Sequence, residues 1–218
     1  MKQKVVAGIT VGFFLAFPLS FPAMAQQGWY GSIAVGSSRA DVDPTQLVIT
    51  GATANTYGKD ETDVGFKVLG GYQFNANLAL EGGYVNLGKG SASNTMTAPA
   101  TGSLNSRFKS DGWLVQAVGI LPVGNDFSLF GKLGTIYSTV KTDLTTSGAV
   151  VLAPGQAASR KRSEWNVAYG IGAGYRITKS VDVRLDWDRY QDLGNKGCNT
   201  CTGESDVDLI SVGVNFRF

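Results

Sequence analysis

The sequence has 218 residues; only 17% are charged, and its 29 glycines and 11% aromatic residues favour β-structure with many turns. It contains no histidine, which excludes His-based catalytic triads, histidine general bases and histidine metal ligands. The formal net charge of +2 comes from Lys2 and Lys4, because residues 26–218 carry 17 basic and 17 acidic side chains. A neutral chain without a long basic run gives no electrostatic basis for nucleic-acid binding.

The N-terminus has the pattern of an export signal. A basic start and an apolar run over residues 5–17 precede Ala23-Met24-Ala25, which fits the small-x-small cleavage rule. The alternative is a membrane anchor, but a spanning helix needs about 20 apolar residues and this run is shorter. We therefore expect residues 1–25 to be a removable signal peptide and residues 26–218 to form one exported domain.

Period-two alternation marks eight strands in the remaining chain. In the hairpin 64–87, for example, Phe66, Val68 and Tyr72 alternate with Lys67 and Gln73, and such sets face opposite sides of a strand. The eight predicted strands cover residues 29–37, 64–74, 78–87, 108–121, 127–138, 165–176, 181–188 and 210–218.

Long and short connections alternate strictly between these strands. The three short connections have about three to five residues, whereas the four long ones, at 39–61, 88–107, 140–161 and 192–205, have about 14 to 23. Strict alternation puts all four long connections at one end of the sheet. This is the pattern of an all-β, eight-stranded antiparallel up-and-down transmembrane β-barrel with short periplasmic turns and four long extracellular loops.

Eight such strands fit two kinds of closed barrel, which differ in the direction of the apolar face. In a soluble lipocalin-type barrel this face lines the cavity, whereas in a membrane barrel it contacts lipid. The apolar face has aromatic residues near the strand ends, as in interfacial girdles, and the opposite face is rich in glycine and alanine, which suits a narrow interior. These features favour the membrane barrel. Its predicted lumen charge network consists of Lys67, Glu81, Lys132, Arg176, Asp182, Arg184, Asp186 and Asp188.

These interior charges have two interpretations. They either fill the lumen as a salt-bridged core, which the narrow interior of eight strands favours, or line an ion path. Asp182, Asp186 and Asp188 also raise the possibility of a metal or acid–base site. Their spacing follows from period two, however, and Arg184 lies among them, so a structural role is favoured.

The hairpin also carries a family resemblance. The segments 63–75 (DVGFKVLGGYQFN) and 80–88 (LEGGYVNLG) resemble the second and third strands of the OmpA-like transmembrane domain family. The resemblance extends from Gly28 to Phe218 and implies a multi-pass barrel in the outer membrane of a Gram-negative bacterium. It also implies that a glutamate and an arginine, here Glu81 and Arg184, pair inside the barrel.

The resemblance has further implications and some departures. The last strand, which ends in Phe216 and Phe218, resembles the terminal signal that such barrels present to the barrel-assembly machinery. The family also has a lysine on strand four and a glutamate on strand six, where this sequence has Val118 and Gly174, so the family's gating network is not expected. The peptidoglycan-binding domain of full-length members is expected to be absent.

Two groups of residues in or beside the predicted loops are candidate sites. Cys198 and Cys201 form a CxxC pair without a thioredoxin-like βαβ context, so a small disulfide staple is favoured over a redox or metal site. Arg189 and the run Arg160-Lys161-Arg162 either contact lipopolysaccharide phosphates or form a solvated rim.

These observations predict an outer-membrane protein with a structural or surface-interaction role. The rivals are a narrow channel for ions or small solutes and an adhesin or host-interaction protein that acts through its loops. We expect no catalytic residues, no cofactor and no metal. The expected partners are outer-membrane lipid, lipopolysaccharide and the barrel-assembly machinery, and no nucleic acid.

Overall fold

The computed structural model of the chain describes residues 27–41, 54–98, 100–150, 158–195 and 203–218. The predicted signal peptide and the pair Cys198 and Cys201 lie outside these ranges. No helix in the described part is long and apolar enough to cross a membrane.

The described residues form nine antiparallel strands in one sheet. The strands are β1 (Gly28–Ala40), β2 (Ala54–Asp60), β3 (Thr62–Asn75), β4 (Leu78–Ala98), β5 (Gly102–Val123), β6 (Phe127–Gly148), β7 (Ser159–Thr178), β8 (Val181–Asn195) and β9 (Gly203–Arg217).

The sheet closes on itself. The strand order is β2-β4-β3-β1-β9-β8-β7-β6-β5, and a further pairing of β4 with β5 completes the ring. Strands β2 and β3 follow one another along the same edge of β4, with only Glu61 between them. They therefore count as one strand position in the ring. Phe66 lies opposite Asn86 and Asp60 opposite Ser91, so β4 passes from one partner to the other with a one-residue shift. The ring therefore has eight strand positions, and the predicted fold class is confirmed.

The three short turns lie at one end of this ring. They connect β3 to β4, β5 to β6 and β7 to β8, and Gly124 in the second turn has a φ of 76°, a conformation that glycine adopts without steric cost. The other end carries the long connections. This end differs from the prediction, because strands β4 to β7 continue through most of the stretches 88–107 and 140–161 that were predicted to be loops.

The reason for this difference is chemical. Apolar alternation marks only the part of a strand that contacts lipid, whereas the ladder hydrogen bonds of an antiparallel pair also form between polar residues. Leu104 pairs with Asn94 on one side and Thr146 on the other, far beyond the last apolar row. The loop boundaries predicted from hydropathy were therefore wrong, while the connectivity was right.

A β-bulge in β4 changes which side chains of this strand face outward. The pairing of β4 with β5 shifts between Asn86 and Lys89, and Gly88 in the bulge has a φ of 76°. The Gly88 amide donates to Asn86 Oδ1 at 2.9 Å, and the Lys89 amide donates to Asp63 Oδ2 at 2.8 Å. The extra residue reverses the faces of the β4 residues that follow it.

The apolar face of the ring points outward. Trp113, Leu133 and Trp165 expose 63–65% of their surface, while the alternate positions Lys67 and Glu81 expose 2% and 1%. A soluble barrel has the opposite arrangement. The observed arrangement is that of a barrel immersed in lipid, where the closed ladder leaves no backbone group unpaired.

Candidate functional site

Among the described residues, six buried charged side chains form one connected network inside the ring, which we call the charged belt. They come from β3, β4, β6 and β8, and each exposes no more than 4% of its surface. The belt has three cations and three carboxylates, so its formal charge is zero. Its members are Lys67, Glu81, Lys132, Arg184, Asp186 and Asp188.

Glu81 is the best-satisfied carboxylate in the belt. Arg184 Nη1 lies 2.5 Å from Glu81 Oε1, and the Tyr30 hydroxyl donates to the same oxygen at 2.8 Å. Gln116 Nε2 donates to Oε2 at 2.7 Å. The Arg184 guanidinium also lies 4.7 Å from the centre of the Phe130 ring, within the range of a cation–π contact. The two residues that the family resemblance paired are thus in direct contact.

The remaining four charges form a square. Lys67 Nζ lies 3.2 Å from Asp186 Oδ2 and 2.5 Å from Asp188 Oδ2. Lys132 Nζ lies 2.9 Å from Asp186 Oδ1 and 2.5 Å from Asp188 Oδ1. Arg184 Nη2 joins the square to the glutamate pair through a 3.4 Å contact with Asp186 Oδ1. Each lysine therefore bridges two carboxylates, which offsets much of the cost of burying them.

Glycines on β7 make room for this network. Gly170 lies opposite Asp188, Gly172 opposite Asp186 and Gly174 opposite Arg184. A Cβ atom at Gly172 would collide with the Asp186 carboxylate, and one at Gly174 would collide with the Phe130 ring. The small residues that the sequence places on this face are therefore needed for close approach.

The register places an ammonium group beside Val118. Val118 lies directly opposite Lys132 on β6. Lys132 thus contributes a buried cation next to the position where the family resemblance implies a lysine. Val118 itself is 1% exposed and packs in an apolar cluster.

Two apolar layers accompany the belt inside the ring, and neither is evident from the sequence pattern. The turn-side layer consists of Tyr30, Ala79 and Val118, with Ile120 and Phe130 packed against it. The outer layer lies towards the long connections; it includes Leu69, Val85, Leu87, Leu114, Ile136, Val140, Tyr190, Val207 and Leu209. Both layers and the belt project into the ring from its inner face.

The other predicted site residues lie elsewhere. Asp182 is buried, but its partners are Arg217 at 2.7 Å and Arg176 at 3.7 Å, near the turns. The Arg176 side chain is 42% exposed, because it is only two residues from the end of β7, and it contacts Asp182 at the turn end of the ring. Phe216 and Phe218 expose 44% and 85%, and the Phe218 amide donates to the Trp29 carbonyl at 3.0 Å.

Tyr30 and Gln116 were missed as partners of Glu81. Their positions on the polar face of β1 and β5 followed from period two, which was the available signal. A tyrosine and a glutamine carry no charge, however, and the sequence did not show which carboxylate they would meet. Among the described residues, no group of three or more His, Cys, Asp or Glu side chains is placed to hold a metal ion.

Comparison with known proteins assigns this arrangement to a family. The model of the OmpA-like transmembrane domain matches residues 24–218. The chain belongs to this family. It is therefore a multi-pass β-barrel of the Gram-negative outer membrane, as the sequence predicted.

The relatives of this OmpA-like barrel are distant. It is 27% identical to outer membrane protein A of Shigella flexneri over 221 residues, which cover 100% of this chain and 56% of that protein. It is 30% identical to outer membrane protein A of Serratia marcescens over 149 residues, or 68% of this chain and 37% of that protein. The chain thus spans about half the length of the curated relatives it matches.

Solved structures also match. Neisserial surface protein A matches with a TM-score of 0.49 and 14% identity, covering 88% of this chain and 97% of that one. The outer membrane protein OprG from Pseudomonas aeruginosa has the same TM-score, identity and coverage.

Proposed function

We propose that this OmpA-like barrel is a non-conducting structural component of the outer membrane, with its lumen closed by side chains. The observation that supports the proposal is the set of buried side chains that project into the ring. Glu81 of the belt and Leu114 and Ile136 of the outer layer each expose 1% or less. An eight-stranded ring leaves an interior just wide enough for side chains to fill. No catalytic step is part of the proposal.

The rival is a narrow channel, and the charge pairing argues against it. A permeating ion must find groups that bind it weakly enough to release it. In the belt, Lys67 and Lys132 each contact both Asp186 and Asp188, so an ion would have to displace one partner from an enclosed network. The apolar side chains of the outer layer add a second obstacle, because they offer an ion no polar group in exchange for its water.

Planar-bilayer recording tests this proposal. The refolded protein should be electrically silent apart from rare, small openings. The double variant Leu114→Ala with Ile136→Ala removes bulk from the outer layer and should open more often. The control Val115→Ala with Ile171→Ala removes bulk from the lipid-facing side, where the two residues are 48% and 62% exposed, and should stay silent. A steady conductance of the unaltered protein would show that the proposal is wrong.

A surface-interaction role is a second candidate, supported by the long polar extensions. Trp113 and Tyr137 pair at the last aromatic row, and β5 and β6 continue for 11 more residues to Gly102 and Gly148. At about 3.3 Å per residue, these extensions are about 36 Å long along the strand. A rigid polar platform of this size suits contact with other cells or molecules.

Shortening one hairpin tests this role. Ser93 pairs with Asn105, so excision of residues 94–104 removes the three outermost residue pairs between β4 and β5 together with the connection that joins them. We expect the shortened protein to remain in the outer membrane and heat-modifiable on a gel. If the extensions mediate contact, cells that express it should adhere less to one another and to cultured epithelial cells. Unchanged adhesion would exclude this hairpin as the contact surface.

A further inference from the structure

The outward face carries a row of four lysines that crosses four adjacent strands, which we call the lysine row. Lys89 lies directly opposite Lys109, Lys109 opposite Lys141, and Lys141 opposite Lys161. All four side chains are exposed. Like charges directly opposite each other destabilise a sheet, so this alignment calls for an anionic counterpart.

The row runs parallel to an aromatic row nearer the turns. Tyr84, Trp113, Tyr137 and Trp165 are also direct cross-strand neighbours, and Trp113 and Trp165 expose 63% and 65% of their surface. Neighbouring rings in this row lie 5.7 and 5.1 Å apart at its two ends. Such aromatic rows mark the boundary between hydrocarbon and headgroups. The lysine row therefore has a defined height above the membrane boundary.

Four residues separate the two rows on β5, β6 and β7, as from Tyr137 to Lys141. This spacing corresponds to about 13 Å along the strand, or about 10 Å in height for strands tilted by 35–45°. The headgroup zone of an ordinary bilayer extends only about 5–8 Å beyond the hydrocarbon. The ammonium groups thus lie level with groups that protrude above a phospholipid headgroup, such as phosphates on the sugars of a glycolipid.

The bulge at Gly88 adds the fourth lysine to the row. Lys89 is five residues from Tyr84, and on a regular strand an odd separation would place the two side chains on opposite faces. The extra residue in the bulge turns Lys89 outward, level with Lys109. A local backbone feature that depends on a glycine with positive φ therefore completes the alignment.

The strands next to the row, β8 and β9, have a different electrostatic character. Arg189 on β8 lies between two carboxylates of β9, with Nη2 at 2.7 Å from Asp206 Oδ2 and Nη1 at 3.5 Å from Asp208 Oδ2. No ion pair joins any of the four lysines to a carboxylate within the described ranges. The expectation that Arg189 contacts lipopolysaccharide is thus less well supported than the same expectation for Lys161.

We propose that the lysine row is a docking site for the phosphate groups of an outer-leaflet glycolipid, that is, of lipopolysaccharide. The site faces outward, extends over β4 to β7 and is separate from the closed lumen. Lysine binds phosphate as a point charge and needs no exact orientation, which suits a lipid that diffuses in the plane of the membrane. Docking also removes the repulsion between the four aligned cations.

A matched pair of variants tests the proposal. Lys109→Gln with Lys141→Gln neutralises the centre of the row. Lys59→Gln with Lys179→Gln removes the same charge at exposed positions outside it. Each protein is refolded into neutral phosphatidylcholine vesicles with and without lipopolysaccharide, and the midpoint of thermal unfolding is measured by gel shift. Lipopolysaccharide should raise the midpoint of the unaltered protein and of the control. The row variant should lose more than half of that rise.

Further measurements test whether positive charge on the protein and phosphate on the lipid are both required. Lys109→Arg with Lys141→Arg should keep the rise, and dephosphorylated lipopolysaccharide should give none. Folding of every variant in neutral vesicles provides the check that a lost rise is not lost structure. An equal rise for the row variant and the control would overturn the proposal, as would an equal rise with the dephosphorylated lipid. Stabilisation of the detergent-solubilised protein by inorganic polyphosphate alone, without any response to lipopolysaccharide, would overturn the lipid assignment.

Discussion

The charged belt and the lysine row use the same residue types in opposite ways. In the belt, Lys132 is enclosed and contacts two carboxylates; in the row, Lys141 on the same strand is exposed and faces lysines on both sides. An enclosed cation needs partners within the protein, because no solvent reaches it. A surface cation can take its counterion from the surroundings. The difference indicates that the belt serves stability and that the row serves contact with another molecule.

The largest expected effect comes from breaking the belt at Glu81 and Arg184. Removal of one member of a buried pair typically costs about 3–5 kcal/mol, because it leaves the other charge uncompensated. Glu81→Ala and Arg184→Ala should each destabilise the barrel, and the double variant should lose less than the sum. A double-mutant cycle of urea unfolding in lipid vesicles measures the coupling.

The surroundings of this pair affect the size of the coupling. Arg184 retains Asp186 at 3.4 Å when Glu81 is removed, whereas Glu81 retains only the neutral donors Tyr30 and Gln116 when Arg184 is removed. We therefore expect Arg184→Ala to be the more damaging single change. Losses that simply add would mean that the contact contributes nothing to stability.

A direct test of the comparison uses one substitution at two positions of β6. Lys132→Gln leaves Asp186 and Asp188 with one fewer cation in an enclosed space, and we expect a loss of about 3 kcal/mol in the free energy of unfolding. Lys141→Gln relieves repulsion at the surface and should leave the barrel unchanged or slightly more stable in neutral vesicles. Urea unfolding of both variants gives the two values, and equal losses would contradict the distinction between belt and row.

Salt should separate the two regions with a smaller effect. The Debye length falls from about 30 Å at 0.01 M to about 8 Å at 0.15 M, so added salt screens exposed charges but not enclosed ones. In neutral vesicles, the unaltered protein should gain less than about 1 kcal/mol as salt rises through this range. Lys109→Gln with Lys141→Gln should gain less still. Destabilisation of both proteins by salt would show that surface attraction, not repulsion, dominates.

The smallest effect on stability is expected from the two cysteines, which belong neither to the charged belt nor to the lysine row. Cys198 and Cys201 should be oxidised to each other in the mature protein, as in other exported chains, and mass spectrometry without reductant should show the loss of about two hydrogens. The loop they close is very short, so replacement of both by serine should barely change the thermal midpoint. Free thiols on both would contradict the prediction.

The period-two alternation of side chains predicted much of this structure, but it could not predict every position. Alternation placed Lys67, Glu81 and Arg184 on the inner face, because side-chain direction depends only on parity along a regular strand. It could not place Lys89, because the bulge at Gly88 changes the parity. It could not foresee the contact of Lys67 with Asp188 either, since the stagger between distant strands of a closed ring does not appear in a hydropathy pattern.

The hydropathy pattern also failed to predict the strands that continue beyond the membrane. Residues 88–107 contain many serines and threonines and no apolar period, a pattern that predicts a loop. In the structure, they belong mainly to β4 and β5. Their strand conformation depends on pairing with neighbours that already extend from the barrel, and such pairing is a property of the assembled sheet, not of the local sequence.

The pairing of β1 with β9 has a consequence for the order of assembly. Tyr30 lies opposite Arg217, so the first and last strands of the ring meet, although every other neighbouring pair is close in sequence. The ring cannot close before β9 has been synthesised, and until then two strand edges carry unpaired amide and carbonyl groups. Hydrocarbon cannot satisfy those groups. Insertion and closure must therefore be one concerted event, or another protein must shield both edges until they meet.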